Sequence, residues 1–136
     1  MQVRDKLSTV FTLDRRVKSL RDQIASIRAQ ETSIGGTLSE VAVQTSPRRD
    51  PVGEMIARRI DLEDELIRIA TRLLCVKAQV LQLVEALSDE RQKLIMTERY
   101  INLKRWEDIA ADNHYSWKHV HRLHSTALTA IKDDIV

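Results

Sequence analysis

WEDIAADNHYSWKHVHRLHSTALTAI, residues 106–131, decides how the rest of the chain is read. Trp106–Ala111 is a brief amphipathic helix, Asp112-Asn113-His114-Tyr115 supplies turn-forming residues, and Ser116 is placed to cap a final helix reaching to about Ile131. On that helix Val120, Leu123, Ala127 and Ile131 recur at helical spacing and form one buried stripe. Ala110 and Ala111 are small enough for the final helix to cross its predecessor closely, and the short turn sets the crossing angle. The capped N-terminal turns are then free to enter a DNA major groove, which is about 12 Å wide. Tyr115 and Ser116 stand at the entrance, and Trp117, Lys118, His119, His121, Arg122 and Ser125 are the expected outward positions. From Asn113 to Lys132 there are three fixed positive charges (Lys118, Arg122, Lys132) and no acid. That patch is modest, so one copy alone is expected to bind DNA weakly.

Upstream, Leu87-Ser88-Asp89-Glu90 ends one helix and begins another, with Ser88 as the expected N-cap and the two acids complementing the helix dipole. Leu94, Ile95 and Tyr100 mark the apolar side of this helix, and Asn102–Arg105 is a polar break. Arg99, Lys104 and Arg105 flank the scaffold helix and are candidates for phosphate contact. Trp106 reads as a core anchor whose indole N–H reaches a nearby carbonyl. Trp117 is open to three roles: a wedge at the bases, packing beside phosphate, or an oligomer contact. The four histidines do not have the spacing of a structural zinc site, so no metal is expected, and His124 is expected to pack or hydrogen-bond between helices.

Glu98-Arg99-Tyr100-Ile101, Trp106-Glu107-Asp108-Ile109-Ala110, Tyr115-Ser116, Val120, Leu123-His124 and Ala127-Leu128 together resemble region 4 of bacterial sigma factors. The run is more similar still to the small phage-encoded transcriptional regulators of the ArpU and RinA type, which carry a helical arm before a sigma-like helix-turn-helix. The resemblance covers about residues 87–132; the arm matches only in character. It implies a DNA-binding activator of phage late genes for packaging or lysis, acting in the cytoplasm of a bacterial host and in reach of host RNA polymerase. Two positions depart from the pattern. Asn113-His114 replaces the usual Leu-Gly of the turn, although both residues tolerate the left-handed conformation better than most. Trp117 stands where small or charged residues are commoner.

The arm precedes this unit. Val52, Met55, Arg59, Leu62, Leu66, Ile69, Leu73, Val76, Val80, Leu83 and Leu87 keep a three-four spacing, which predicts a helix over 51–87 roughly 50 Å long. Asp50-Pro51 suits its start. Ile60, Ile67, Leu74 and Leu81 add a second row, and Cys75 among these rows reads as a small core residue. Val10, Leu13, Val17, Leu20, Ile24 and Ile27 predict a first helix over 3–31 with one narrow stripe. All glycines and prolines fall within 35–53, so 32–50 is expected to be a linker with Arg48 and Arg49 solvated. Two rows need more than one neighbour. An intramolecular hairpin covers one, and a homo-oligomer, most simply a dimer through Leu62, Leu66, Ile69, Leu73, Val76, Val80 and Leu83, covers both.

The expected architecture is therefore all-α: a helical oligomerisation arm over 1–87 and a DNA-binding helix-turn-helix over 88–136. With 136 residues, 43% apolar, 31% charged and 4% aromatic, a large α/β or all-β core is disfavoured. The net charge of +2 permits contact with nucleic acid without arguing for it. The single cysteine excludes an internal disulfide and suits a reducing compartment. No secretory leader or membrane span is expected. The sequence has no Ser/His/Asp or Cys/His constellation, glycine-rich phosphate loop or carboxylate cluster, so neither an enzyme nor a cofactor protein is expected. Two rivals keep the same logic: a phage small terminase-like DNA-recognition subunit, and a coiled-coil adaptor that binds protein instead of DNA.

Overall fold

The computed structural model describes the backbone at 3–41 and 50–134, and side chains at 3–34 and 50–131. Among the described residues there are five helices and no strand: α1 Val3–Val41, α2 Pro51–Glu85, α3 Glu90–Tyr100, α4 Trp106–Asp112 and α5 Trp117–Asp134. The chain is all-α. None of the helices is long and apolar enough to cross a membrane.

α1 corrects the expected linker over 32–50, because the helix continues through Gly35 and Gly36 to Val41. Glycine costs a helix about 1 kcal/mol but does not break it; proline does, and the first proline is Pro47. Arg48, Arg49 and the rest of 42–49 lie outside the described residues. α2 begins as expected. Asp50 Oδ1 accepts a hydrogen bond from the Gly53 N–H at 2.9 Å, and Pro51 takes the first helical position. Gly53 leaves room for that capping carboxylate, which a Cβ would overlap.

The described chain forms two compact units. The first is Asp14–Thr71, in which α1 and α2 run side by side in opposite directions. Leu20, Ile24 and Leu62 are buried together, with Ile27, Leu66 and Ile69 packed against them. Ion pairs line this seam: Arg16 to Glu65 at 2.5 Å, Arg28 to Glu63 at 2.7 Å, and Arg59 to Glu31 at 2.8 Å. Arg59, the polar member of the apolar row, is half-buried because its guanidinium also holds Glu63. Hydrogen bonds from Arg28 first and Arg59 second keep the Glu63 carboxyl below its ordinary range.

The second unit joins the chain up to Leu13 with everything from Arg72 onward. Val3, Leu7 and Val10 of α1 and Leu73, Val76, Val80 and Val84 of α2 are buried within it. So are Ile95 and Met96 of α3, Ile109 of α4, and Val120, Leu123, Ala127 and Ile131 of α5. α2 ends at Glu85, and Leu87 is buried in the link to α3. Asp89, not Ser88, is the N-cap of α3: its carboxylate accepts from the Arg91 N–H at 2.9 Å. Leu94 is exposed, and Met96 takes the inward place expected for it.

The expected oligomer row is also corrected. Leu62, Leu73, Val76 and Val80 are buried inside the chain itself, and Leu66, Ile69 and Leu83 are half-buried. The second row is the one left open, with Ile60, Ile67 and Leu74 exposed and Leu81 half-buried. Cys75 is exposed rather than in the core. The reason is geometric, since a single neighbouring helix covers one stripe of α2 and leaves the other uncovered.

Candidate nucleic-acid interface

Three helices position the candidate surface. Ile95 of α3, Ile109 of α4 and Val120 and Leu123 of α5 form a buried cluster, with Trp106, Ala110 and Tyr115 packed on it. Ala110 therefore sits at the close approach expected of a small residue. The turn between α4 and α5 closes by paired backbone bonds: the Tyr115 N–H reaches Ala110 O at 2.9 Å and the His114 N–H reaches Ala111 O at 3.3 Å. This is a Schellman ending, which demands a left-handed residue at its hinge. His114 takes that conformation, with φ 55°, while Asn113 stays at φ −102°. Asn113 does different work. Its side-chain amide donates to Glu98 Oε2 at 3.0 Å and to Ile109 O at 2.8 Å, tying the turn to α3.

α5 begins with the expected cap, Ser116 Oγ accepting from the His119 N–H at 3.1 Å. Val120, Leu123, Ala127 and Ile131 form its buried face, as the spacing predicts. On the open side Lys118, Arg122 and Ser125 are exposed, and Trp117 is 62% exposed. Neither Lys118 nor Arg122 makes an ion pair among the described residues, so both heads are available to an anionic ligand.

Several expected members of the surface turn inward. His121 lies between Trp117 and Trp106, with ring centroids 3.9 and 4.9 Å away, and its Nε2 is buried without a hydrogen-bond partner. His119 is half-buried, edge-on to Tyr115 at 4.9 Å. The flat imidazoles fill gaps between aromatic rings here instead of projecting. His124 packs between helices as expected, its Nε2 2.7 Å from Tyr100 Oη. Burial first, and the nearby charges of His121, Arg99 and Arg4 second, lower its pKa to about 4.

Arg99 also leaves the candidate set of free phosphate contacts. Its guanidinium carbon sits 4.4 Å from the Phe11 ring centroid and 4.6 Å from that of Trp106, and Nη1 donates to Lys104 O at 2.9 Å. Burial pulls its pKa below the ordinary arginine value. Lys104 is held by Asp112 at 3.1 Å and Glu98 at 3.6 Å. The hydrogen bond to Asp112 is the main reason that its pKa is raised. Arg105 is exposed at the start of α4 and pairs with Asp108 at 3.3 Å. Trp106 is half-buried against Arg99, His121 and His124, and its indole N–H forms no hydrogen bond among the described residues, contrary to expectation.

Three positioning residues had no signal in the local pattern: Glu98, Asn113 in its anchoring role, and Phe11. Phe11 lies off the apolar stripe of α1 yet meets Arg99 and, at 5.8 Å, Tyr100. Its being the lone phenylalanine was the available hint. No group of three or more histidine, cysteine, aspartate or glutamate side chains is placed to hold a metal among the described residues. No protein-family model, curated protein or solved structure matches the chain.

Proposed function

We propose that this protein is a sequence-specific, double-stranded DNA-binding transcriptional regulator in which α4, its turn and α5 act as a helix-turn-helix. One observation carries the reading: α5 starts with a Ser116 cap and presents Lys118 and Arg122, both exposed and free of ion pairs, from its first turns. Its opposite face is anchored by Val120, Leu123, Ala127 and Ile131. A helix held from behind, with unpaired cations at its front, suits insertion into a major groove. Arg122 is the candidate for bidentate contact to guanine, and Lys118 for phosphate or base. Ser116, Tyr115 and Trp117 border the groove, while Arg105 lies near enough to the unit's surface to reach phosphate. The resemblance to sigma region 4 and to the ArpU and RinA regulators favours an activator of phage late genes, working as a homo-oligomer that gains affinity from two weak readers.

Selection of bound sites from a random duplex pool tests this. The wild type should enrich a motif. Arg122→Ala should relax it at one position, with a loss of ~1–3 kcal/mol. Lys118→Ala should weaken all sequences alike if it meets phosphate. No enriched motif, or the same motif at full affinity from both variants, overturns the reading.

A further inference from the structure

A cavity of about 490 Å³ opens within the second unit, where the first turns of α1 meet the end of α3, the start of α4 and the middle of α5. Its size is that of a small-molecule cleft. Leu7, Phe11 and Leu128 give it an apolar wall, and its two charged side chains, Arg4 and Arg99, are both cations. No aspartate or glutamate lines it, and neither arginine makes an ion pair among the described residues. Arg99 is half-buried; its Nη1 donates to Lys104 O, and its Nε is buried without a hydrogen-bond partner. The Phe11 and Trp106 rings stabilise the charge without neutralising it. A guanidinium partly withdrawn from water and given no carboxylate is costly to a fold, which is why buried charges are ordinarily paired.

We propose that this cavity binds a small organic anion, an apolar body ending in an oxyanion such as a carboxylate or a phosphate monoester. Arg4 and Arg99 hold the head, and Leu7, Phe11 and Leu128 receive the body. Guanidinium donors meet the oxygens of either head as a fork, and Arg4, exposed and unpaired, brings the second charge. An inorganic ion would satisfy the arginines and leave the apolar wall wet. An uncharged apolar ligand would bury Arg99 further without a counter-charge. Only a ligand with both parts matches both ends of the site. Lys118 and Arg122 do not line the cavity, so it is separate from the cations assigned to DNA, and the proposal does not rest on that reading.

The test uses the full chain without DNA. The probes are 1-naphthoate, 1-naphthyl phosphate and the uncharged 1-naphthalenemethanol, and the readout is the pair of indole N–H resonances in a nitrogen-15-labelled sample. At least one anion should shift the Trp106 resonance, since that side chain lines the cavity, while the Trp117 resonance, assigned with Trp117→Phe, moves little. The tighter anion names the head group. The alcohol should bind at least ~tenfold more weakly, the worth of a charge-assisted hydrogen bond. Arg4→Ala should weaken anion binding by about the same factor, and the fold should persist because the side chain is exposed. Ser8→Phe, at another exposed position lining the cavity, should block it. A Trp106 resonance unmoved by both anions at millimolar concentration, an alcohol that binds equally well, or undiminished affinity in either variant would each overturn the proposal.

Discussion

Tyr100 Oη and His124 Nε2 lie 2.7 Å apart, a hydrogen bond that joins the last turn of α3 to the middle of α5. The His124 ring also meets Trp106 edge-on at 4.7 Å. Its place in this aromatic interior, more than any charge, lowers its pKa to about 4, so the folded protein holds it neutral.

That depression makes stability depend on pH. The unfolded chain takes up a proton at His124 near the ordinary value of about 6.5, and the folded chain does not until about 4. The contribution is complete above pH ~6.5 and is lost progressively as pH falls towards 4. Discounted for the ring's partial exposure, it amounts to about 1–2 kcal/mol. Thermal melts from pH 7.5 to 4 should therefore fall more steeply for wild type than for His124→Gln. The glutamine can still hydrogen-bond to Tyr100 but cannot titrate. Parallel curves would show that the histidine does not carry the dependence.

Two neighbouring residues with similar capping chemistry give a sharp comparison. Asp89 accepts from the Arg91 N–H, whereas Ser88 is exposed and makes no hydrogen bond among the described residues. Asp89→Ala should cost ~0.5–2 kcal/mol in denaturant unfolding, and Ser88→Ala should stay within roughly 0.5 kcal/mol of wild type. Equal losses would restore Ser88 as the cap.

His114 bears a backbone cost that glycine would remove. It is exposed at φ 55°, a conformation in which an L side chain crowds its own carbonyl. His114→Gly should raise stability by about 0.5–1 kcal/mol, and His114→Ile should lower it by more, because β-branching worsens the crowding. Melting temperatures of the two variants check this. A stabilising isoleucine would mean that the turn adopts another geometry in solution.

The elements that could be read in sequence are those fixed by local periodicity and capping. The stripe Val120, Leu123, Ala127 and Ile131, the Ser116 cap and the Asp50-Pro51 start all depend on residues within one or two turns. What could not be read depends on a neighbour. α2 has two equally regular rows, and only the position of α1 decides that Leu62 is buried while Ile67 is 65% exposed. His121 reads as outward because it lies off the stripe Val120, Leu123, Ala127 and Ile131. Trp106, on a different helix, draws it in. Glycine gave a false ending for α1, since its propensity penalty is small for a helix that runs 39 residues from Val3 to Val41.

Arg99 separates a structural cation from a DNA-facing one. Its guanidinium is stacked between Phe11 and Trp106 and donates to Lys104 O, fastening the start of α1 and the break before α4 to α3. Lysine keeps the charge but loses the planar face and the forked donor, so Arg99→Lys is not conservative here. It should cost ~1–3 kcal/mol of unfolding free energy, through a lost charge-assisted hydrogen bond and two cation–π contacts. It should leave the salt dependence of DNA affinity unchanged at temperatures where the variant is folded. Lys118→Ala should do the reverse, leaving stability within roughly 0.5 kcal/mol of wild type and, where its ammonium meets phosphate, lowering the slope of log affinity against log salt by about 1. Denaturant melts and salt titrations on both variants give the contrast directly. If Arg99→Lys flattens the salt slope while stability holds, its guanidinium faces phosphate and the stacked arrangement is not the one that binds DNA.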